Sequence, residues 1–309
     1  MHPLQPSTLP TISILKRKAC LACRARKPVF TSVPQFPFDS FLSTTGTLHP
    51  SPSQLATYRS IFHRNIDPLI KVLHSPSTDR LFQKALQYPS HLKDGESALL
   101  FTVYLSSLCS ITDTEATISL GGNISKPTAV ATYKAAIEHA LTKADFLSTN
   151  DLTTLQAFIL YLSLSRFTPD KARVWPLTGL PSRLLPTEGI YTPFEQEMRK
   201  RLHMALWYIE HRAREDRGCG SGLLQVAIQD MPVNVRDIDL TPGMVEPPVP
   251  YQGWTEVSFC LMQVEIACAT GLVGAAQDGQ MKESIIDACE ARIENEYLRY
   301  CDGSEGVVV

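Results

Sequence analysis

The stretch 97–111, SALLFTVYLSSLCSI, is apolar on nearly every side when wound as a helix. Such a helix has no face to offer water, so it must be enclosed by other helices. That requirement narrows the chain to a multi-helix bundle. Neighbouring segments supply amphipathic partners. In 129–146, Val130, Tyr133, Ile137, Ala140, Leu141 and Ala144 fall on one helical stripe. A further helix is expected to open near Asn150, with Leu152, Leu155, Ile159 and Leu162 repeating at intervals of three or four. At Thr192-Pro193-Phe194-Glu195, threonine can cap, proline suits the first helical position and glutamate can complete a capping box. Met198, Leu202, Ala205, Leu206 and Ile209 then form an inner face, with Arg199, Lys200, Arg201 and His203 mostly off it. Residues 254–270 and 282–300 read as two more helices, and 231–250 as a proline-rich connection. No segment alternates with period two for long enough to make a strand, so the expected class is all-α.

The first part of the chain follows another rule. Residues 1–55 contain Pro3, Pro6, Pro10, Pro28, Pro34, Pro37, Pro50 and Pro52, many Ser and Thr, and no acidic residue before Asp39. This composition cannot bury enough apolar surface to fold alone. The expected organisation is a disordered, mobile basic arm over 1–55 and a helical domain over 56–305. Net charge is only -2, so attraction to nucleic acid must come from a local patch. No stretch has the character of a signal peptide or approaches the length of an apolar membrane span, so an intracellular protein with no membrane partner is expected. The cysteines beyond position 23 then read as reduced, mostly buried thiols.

The patch is KRKACLACRARK, residues 16–27. Lys16, Arg17, Lys18, Arg24, Arg26 and Lys27 can neutralise DNA phosphates. Cys20 and Cys23 have the spacing by which one short turn gives zinc two thiolates, and a structural zinc site needs four ligands. Ala19-Cys20-Leu21-Ala22-Cys23-Arg24-Ala25-Arg26-Lys27 resembles the opening of the fungal binuclear zinc-cluster motif, in which six cysteines hold two zinc ions. The resemblance implies zinc as cofactor and DNA as partner. The family's third cysteine falls at Phe30, and the next cysteine in this chain is Cys109, so the ligand set is incomplete. The coiled coil that often follows the cluster has no counterpart in the proline-rich 28–55 stretch.

Residues from about 60 to 270 resemble the central regulatory domain of the same transcription-factor family. The resemblance rests on Phe62-His63-Arg64-Asn65-Ile66-Asp67-Pro68-Leu69, on Leu155-Gln156-Ala157, and on Phe194 through Leu202 followed by Leu206-Trp207. Glu215-Asp216-Arg217-Gly218 and Met231 through Leu240 extend it. The arginines of the 194–202 helix can pair with Asp237 and Asp239 and draw that loop back onto the helix, which reads as a scaffold ion-pair network. The family usually has a helix between Leu180 and Thr192; here Pro181 and Pro186 are expected to leave that stretch short and irregular.

The resemblance implies a nuclear transcriptional regulator of a metabolic or biosynthetic gene set. The arm would engage DNA weakly or with partner assistance, and the helical domain would sense a small-molecule effector or hold a co-regulator. No catalytic motif of the metalloprotease, nucleophile-elbow or P-loop type occurs, so no enzyme is expected. The rival reading is a helical small-molecule binder or metabolic enzyme derived from such a regulator. Tyr251, Trp254, Phe259 and Met262 are candidates to line its pocket, though at helical spacing they also suit a core. Deleting residues 1–30 separates the two readings, because a pocket-based catalyst would survive it. The missing cysteines and the 181–191 stretch also fit a shortened form of a longer regulator.

Overall fold

The computed structural model describes residues 48–119, 125–166, 171–185, 189–218 and 231–300. In chain order the helices are α1 (Pro52–Asn65), α2 (Ser75–Gln87), α3 (Asp94–Cys109), α4 (Asp113–Ser119), α5 (Lys126–Lys143), α6 (Leu152–Ser165), α7 (Lys171–Leu184), α8 (Pro193–Glu215), α9 (Ser258–Ala275) and α10 (Gly279–Glu296). Single 3-10 turns occupy Pro89–His91, Asp237–Asp239 and Leu298–Tyr300. Among the described residues every regular element is helical, as the periodicities require.

The all-round apolar stretch forms α3, which is buried from Ala98 to Leu108 and packs against α1, α5 and α6. Its few polar side chains are satisfied within the bundle. The Thr102 hydroxyl donates to the Ala98 carbonyl at 2.8 Å, and Ser107 donates to Val103 at 2.8 Å and to Tyr58 at 3.0 Å. Aromatic rings fill the space between α1, α3 and α5: Tyr104 lies 5.4 Å from Tyr58 and 5.6 Å from Tyr133, centre to centre. These separations suit tilted aromatic pairs.

The start of α8 forms as its sequence requires. Thr192 Oγ1 accepts from the Glu195 amide at 3.2 Å, and the Glu195 carboxylate accepts from the Thr192 amide at 3.1 Å. Thr192→Ala is expected to cost about 1 kcal/mol, the usual worth of such a cap, read from the midpoint of a urea unfolding curve.

One expectation is corrected in part. α7 carries Pro176 and Pro181 inside and runs on to Leu184, so residues 181–184 are helical. Leu185 and 189–192 are not, which leaves the stretch before Thr192 short and irregular as expected. Val174, Thr178, Pro181 and Leu185 make one buried stripe, and α7 packs against α6 and α8. That burial outweighs the lost backbone hydrogen bonds. Pro186 lies outside the described residues. A second correction concerns membrane-like stretches: α9 is, by length and composition, apolar enough to cross a membrane, and only 28% of it is buried. Its inner face, Cys260, Leu261 and Val264, joins Met204, Val257 and Tyr297 in a second core, and the Tyr297 hydroxyl donates to Glu265 at 3.1 Å. Ile266 and Leu272 remain exposed on its other side.

Candidate functional site

Three segments far apart in sequence meet at a buried charge cluster. These are the loop after α1, the middle of α8 and the 231–257 connection. Lys71 and Arg201 are both fully buried. The Lys71 ammonium reaches Asp67 at 2.6 Å and Asp237 at 2.8 Å, and donates to the Ser75 hydroxyl at 3.0 Å. Arg201 donates through Nη1 to the other Asp237 oxygen at 2.6 Å. Its Nε lies 3.6 Å from Glu197, four residues earlier on α8. The Ser75 amide donates to Asp237 at 2.7 Å, and the Val233 amide donates to Glu197 at 3.2 Å.

The electrostatics follow from this packing. Burial alone would raise the Asp237 pKa, but Lys71 and Arg201 outweigh it and hold the carboxyl well below the usual carboxylate range. Burial alone would lower that of Lys71, but Asp67 and Asp237 outweigh it and hold it above its ordinary value. For Glu197 burial wins over Arg201, and its pKa is raised. Each buried charge therefore has a counter-charge, without which it would cost several kcal/mol.

The expected pairing of the α8 arginines with Asp237 is therefore present, through Arg201. Asp239 instead pairs with its neighbour Arg236 at 2.7 Å in an exposed contact. Arg199 and Arg201 are not off the inner face of α8, as the pattern suggested. Both are buried, and Arg199 stacks on the Tyr191 ring at 4.1 Å and donates to the Asn150 carbonyl at 3.4 Å. Asn234 fixes the rest of the connection. Its amide donates to Tyr251 and Gly253 carbonyls at 3.0 and 2.9 Å, and its oxygen accepts from Thr255 and Ser258 at 2.7 and 2.9 Å. Gly253 sits at φ 149, where a Cβ would strike the Tyr251 ring, so glycine is required at this turn.

A cleft of about 310 Å³ opens beside this cluster, bounded by α2, α3, α6 and α8. Its walls include Leu81, Leu99, Leu152, Phe194 and Met198. A hydrogen-bond relay runs from its rim to the cluster. Arg80 Nη2 donates to the Ser77 hydroxyl oxygen at 3.0 Å, which lies 2.8 Å from His74 Nδ1, and His74 Nε2 lies 2.8 Å from the Asp237 carbonyl. A carbonyl only accepts, so Nε2 carries a proton. Burial lowers the His74 pKa, which keeps the ring neutral and leaves Nδ1 to accept from Ser77. Gln156, part of the Leu-Gln-Ala match, borders the cleft and donates to the Val72 carbonyl at 2.9 Å. Nothing in the sequence pointed to this cleft, because its residues come from four separated helices.

The aromatic set expected to line a pocket does not do so together. Trp254 and Met262 pack on the second core, while Tyr251 borders a groove of about 550 Å³ beside Pro247–Pro250. Of the described cysteines, Cys260 and Cys289 are buried and Cys109 and Cys268 exposed, so burial holds for half of them; all are free thiols. The Cys260 thiol accepts from the Lys71 amide at 3.3 Å, and burial pushes its pKa up to about 11. It ties α9 to the 67–71 loop and is not a nucleophile.

The arm residues Lys16, Arg17, Lys18, Cys20, Cys23, Arg24, Arg26 and Lys27 lie outside the described residues, as does Cys219. Among the described residues no group of three or more His, Cys, Asp and Glu side chains could hold a metal. Cys109, Cys260, Cys268 and Cys289 sit on helices of the bundle as separate free thiols. The described residues do not supply a two-zinc, six-thiolate cluster.

Comparison with known proteins shows what this chain is similar to. The aurofusarin cluster transcription factor of Gibberella zeae is 31% identical over 78% of this chain and 39% of its own length. The pyriculol/pyriculariol biosynthesis cluster transcription factor 1 of Pyricularia oryzae is 33% identical over 71% of this chain and 30% of its own length. A C6 finger domain transcription factor of Aspergillus niger is 30% identical over 65% of this chain and 27% of its own length. This chain is thus related by sequence to the fungal C6 zinc-cluster transcription factors, as its motifs implied. It spans well under half the length of these relatives. No family model matches the chain, and no solved structure matches it.

Proposed function

We propose that the protein is a transcriptional regulator of a fungal biosynthetic gene set and acts in the nucleus. Residues 1–55 form its DNA-engaging arm, and residues 56–305 form the helical domain that governs the arm by sensing an effector or holding a co-regulator. The relatives' names support the regulator reading, since they refer to transcription factors of biosynthetic clusters. The observation that carries it in this chain is the Lys71–Asp237–Arg201 cluster. It lies on the same 62–69, 194–207 and 231–240 segments that carry the resemblance or directly beside them, and it spends their charges on one another rather than on a substrate. This also supports a non-enzymatic role.

In this reading Lys16, Arg17, Lys18, Arg24, Arg26 and Lys27 contact phosphates without a complete zinc cluster beneath them. Binding is therefore weak, or assisted by a partner already on the DNA. Fluorescence anisotropy of the full chain on a labelled duplex, across a salt series, tests this. The logarithm of affinity should fall with log salt at a slope of roughly -5, near -0.9 per phosphate contact. Replacing Arg24, Arg26 and Lys27 by Gln should flatten that slope by about half. A salt-independent affinity would refute the arm's role. Metal analysis of purified protein beside its Cys20→Ser variant measures whether the Cys20–Cys23 pair retains zinc; equal zinc in both would exclude that pair as ligands.

A further inference from the structure

The cleft beside the charge cluster carries one uncompensated positive charge beside a single apolar wall. We infer that it is a binding site for a small amphipathic monocarboxylate, with Arg80 as the anion anchor. This deepens the sensing role given to the helical domain and rests on that reading.

The argument starts from α2. Ser77, Arg80, Leu81 and Lys84 recur at three- and four-residue intervals, so one face of the helix turns them all toward the cleft. Lys84 is neutralised there, because both Glu96 oxygens lie within 2.8 Å of its ammonium. Arg80 is not. Its guanidinium donates to the Ser77 hydroxyl, and it has no carboxylate partner among the described residues. His74 at the same rim is neutral. The rim therefore holds a net single positive charge, in the planar, multi-donor form that suits a carboxylate.

Behind the rim, the half-buried Leu81 and Leu152 offer apolar surface, with the buried Leu99, Phe194 and Met198 beneath them, of a kind that holds a short alkyl chain. A volume of about 310 Å³ lies at the low end for small-molecule sites, which suits a small ligand. One polar end and one apolar body match one charged anchor and one apolar wall.

Occupancy also has a route inward. A carboxylate drawn to Arg80 shifts the guanidinium that also donates to Ser77. Ser77 is bonded to His74, and His74 holds the Asp237 carbonyl at the 3-10 turn that α8 and Lys71 clamp by its side chain. Ligand binding should therefore be felt at the amides of Asp239 and Leu240, which close that turn on the Arg236 and Asp237 carbonyls.

Isothermal titration of the full chain with octanoate, octanol and octylamine tests the site. Octanoate should bind, and octanol and octylamine should bind about tenfold more weakly or not at all, as expected for loss of a charged hydrogen bond. Arg80 is exposed, so Arg80→Gln should fold normally and weaken octanoate by about tenfold, with Arg80→Lys in between. Absence of octanoate binding up to its solubility limit, or equal binding to Arg80→Gln, would overturn the site. Hydrogen exchange at residues 237–240 should change on saturation with octanoate; binding with no change there would overturn the inward route. These titrations contain no DNA, so their failure would leave the regulator reading standing. Intact binding beside a protein that shows no DNA affinity and activates no reporter would instead count against the regulator reading alone.

Discussion

Asp237→Ala is expected to lower the unfolding free energy by about 3–5 kcal/mol, on the order of 10 °C in melting temperature. The reason is what it leaves behind. Asp237 bridges Lys71 at 2.8 Å and Arg201 at 2.6 Å, and neither cation is exposed at all. Without the carboxylate, Lys71 keeps Asp67, but the only acid left to Arg201 is Glu197 at the longer 3.6 Å, beside a 3.4 Å hydrogen bond to the Val235 carbonyl. The Ser75 amide also loses its acceptor. Asp239→Ala two residues away is the control. Its partner Arg236 is exposed, so the loss should stay within about 1 kcal/mol. Chemical denaturation of the three proteins at neutral pH measures both effects; equal losses from the two substitutions would refute the cluster's structural weight.

The same residue makes a pH prediction. Asp237 is held below its ordinary value of 3.8, so the unfolded chain takes up its proton more readily than the folded one. Its contribution is complete above that value and is lost as pH falls below about 4. The gap between the native protein and Asp237→Ala should therefore narrow progressively in acid. Glu197, whose pKa is raised by burial, acts with the opposite sign: its ionisation becomes a cost as pH rises above its ordinary value of 4.5. It is common to both proteins, so it cancels to first order in the comparison.

Phe158→Ala should cost a similar amount, about 3–5 kcal/mol, by a different mechanism. The ring lies in the middle of α6, fully buried, 5.0 Å from the ring of Phe146. Phe146 is delivered there by the end of α5. Asp145 adopts a left-handed conformation with φ 49, and the Phe146 amide donates back to the Leu141 carbonyl at 3.2 Å. This is the Schellman-type reversal, in which the residue after the left-handed position folds its side chain against the helix. Removing the Phe158 ring opens a cavity that two rigid helices cannot close. Leu272→Ala on the exposed side of α9 should move the same unfolding curve by no more than about 0.5 kcal/mol. A small effect at Phe158 would mean that the α5–α6 junction is not part of the cooperative core.

Several features could be read from local pattern because local pattern causes them. The Thr192–Glu195 box involves four consecutive residues, and it forms. The all-apolar 97–111 stretch admits only an enclosed helix, and α3 is enclosed. The link between Arg201 and Asp237 was legible for a different reason: the resemblance sets an arginine-rich helix beside an acidic loop, and a guanidinium pairs well with a carboxylate. Lys71 was missed, although Asp67 stands four residues before it and Val72 and Leu73 follow it directly. That combination, a lysine within i and i+4 reach of an acid beside an apolar pair, was the available signal.

The amino-acid sequence alone determined the helical class, the cap that starts α8 and the acid that pairs with Arg201, since each depends on periodicity or on complementary charge. Tertiary structure alone decided that α7 runs through Pro181, that Arg199 and Arg201 lie inside, and that four helices leave a cleft with one unpaired cation at its rim. Burial is a property of neighbours far apart in sequence, and no local pattern specifies which neighbours those are.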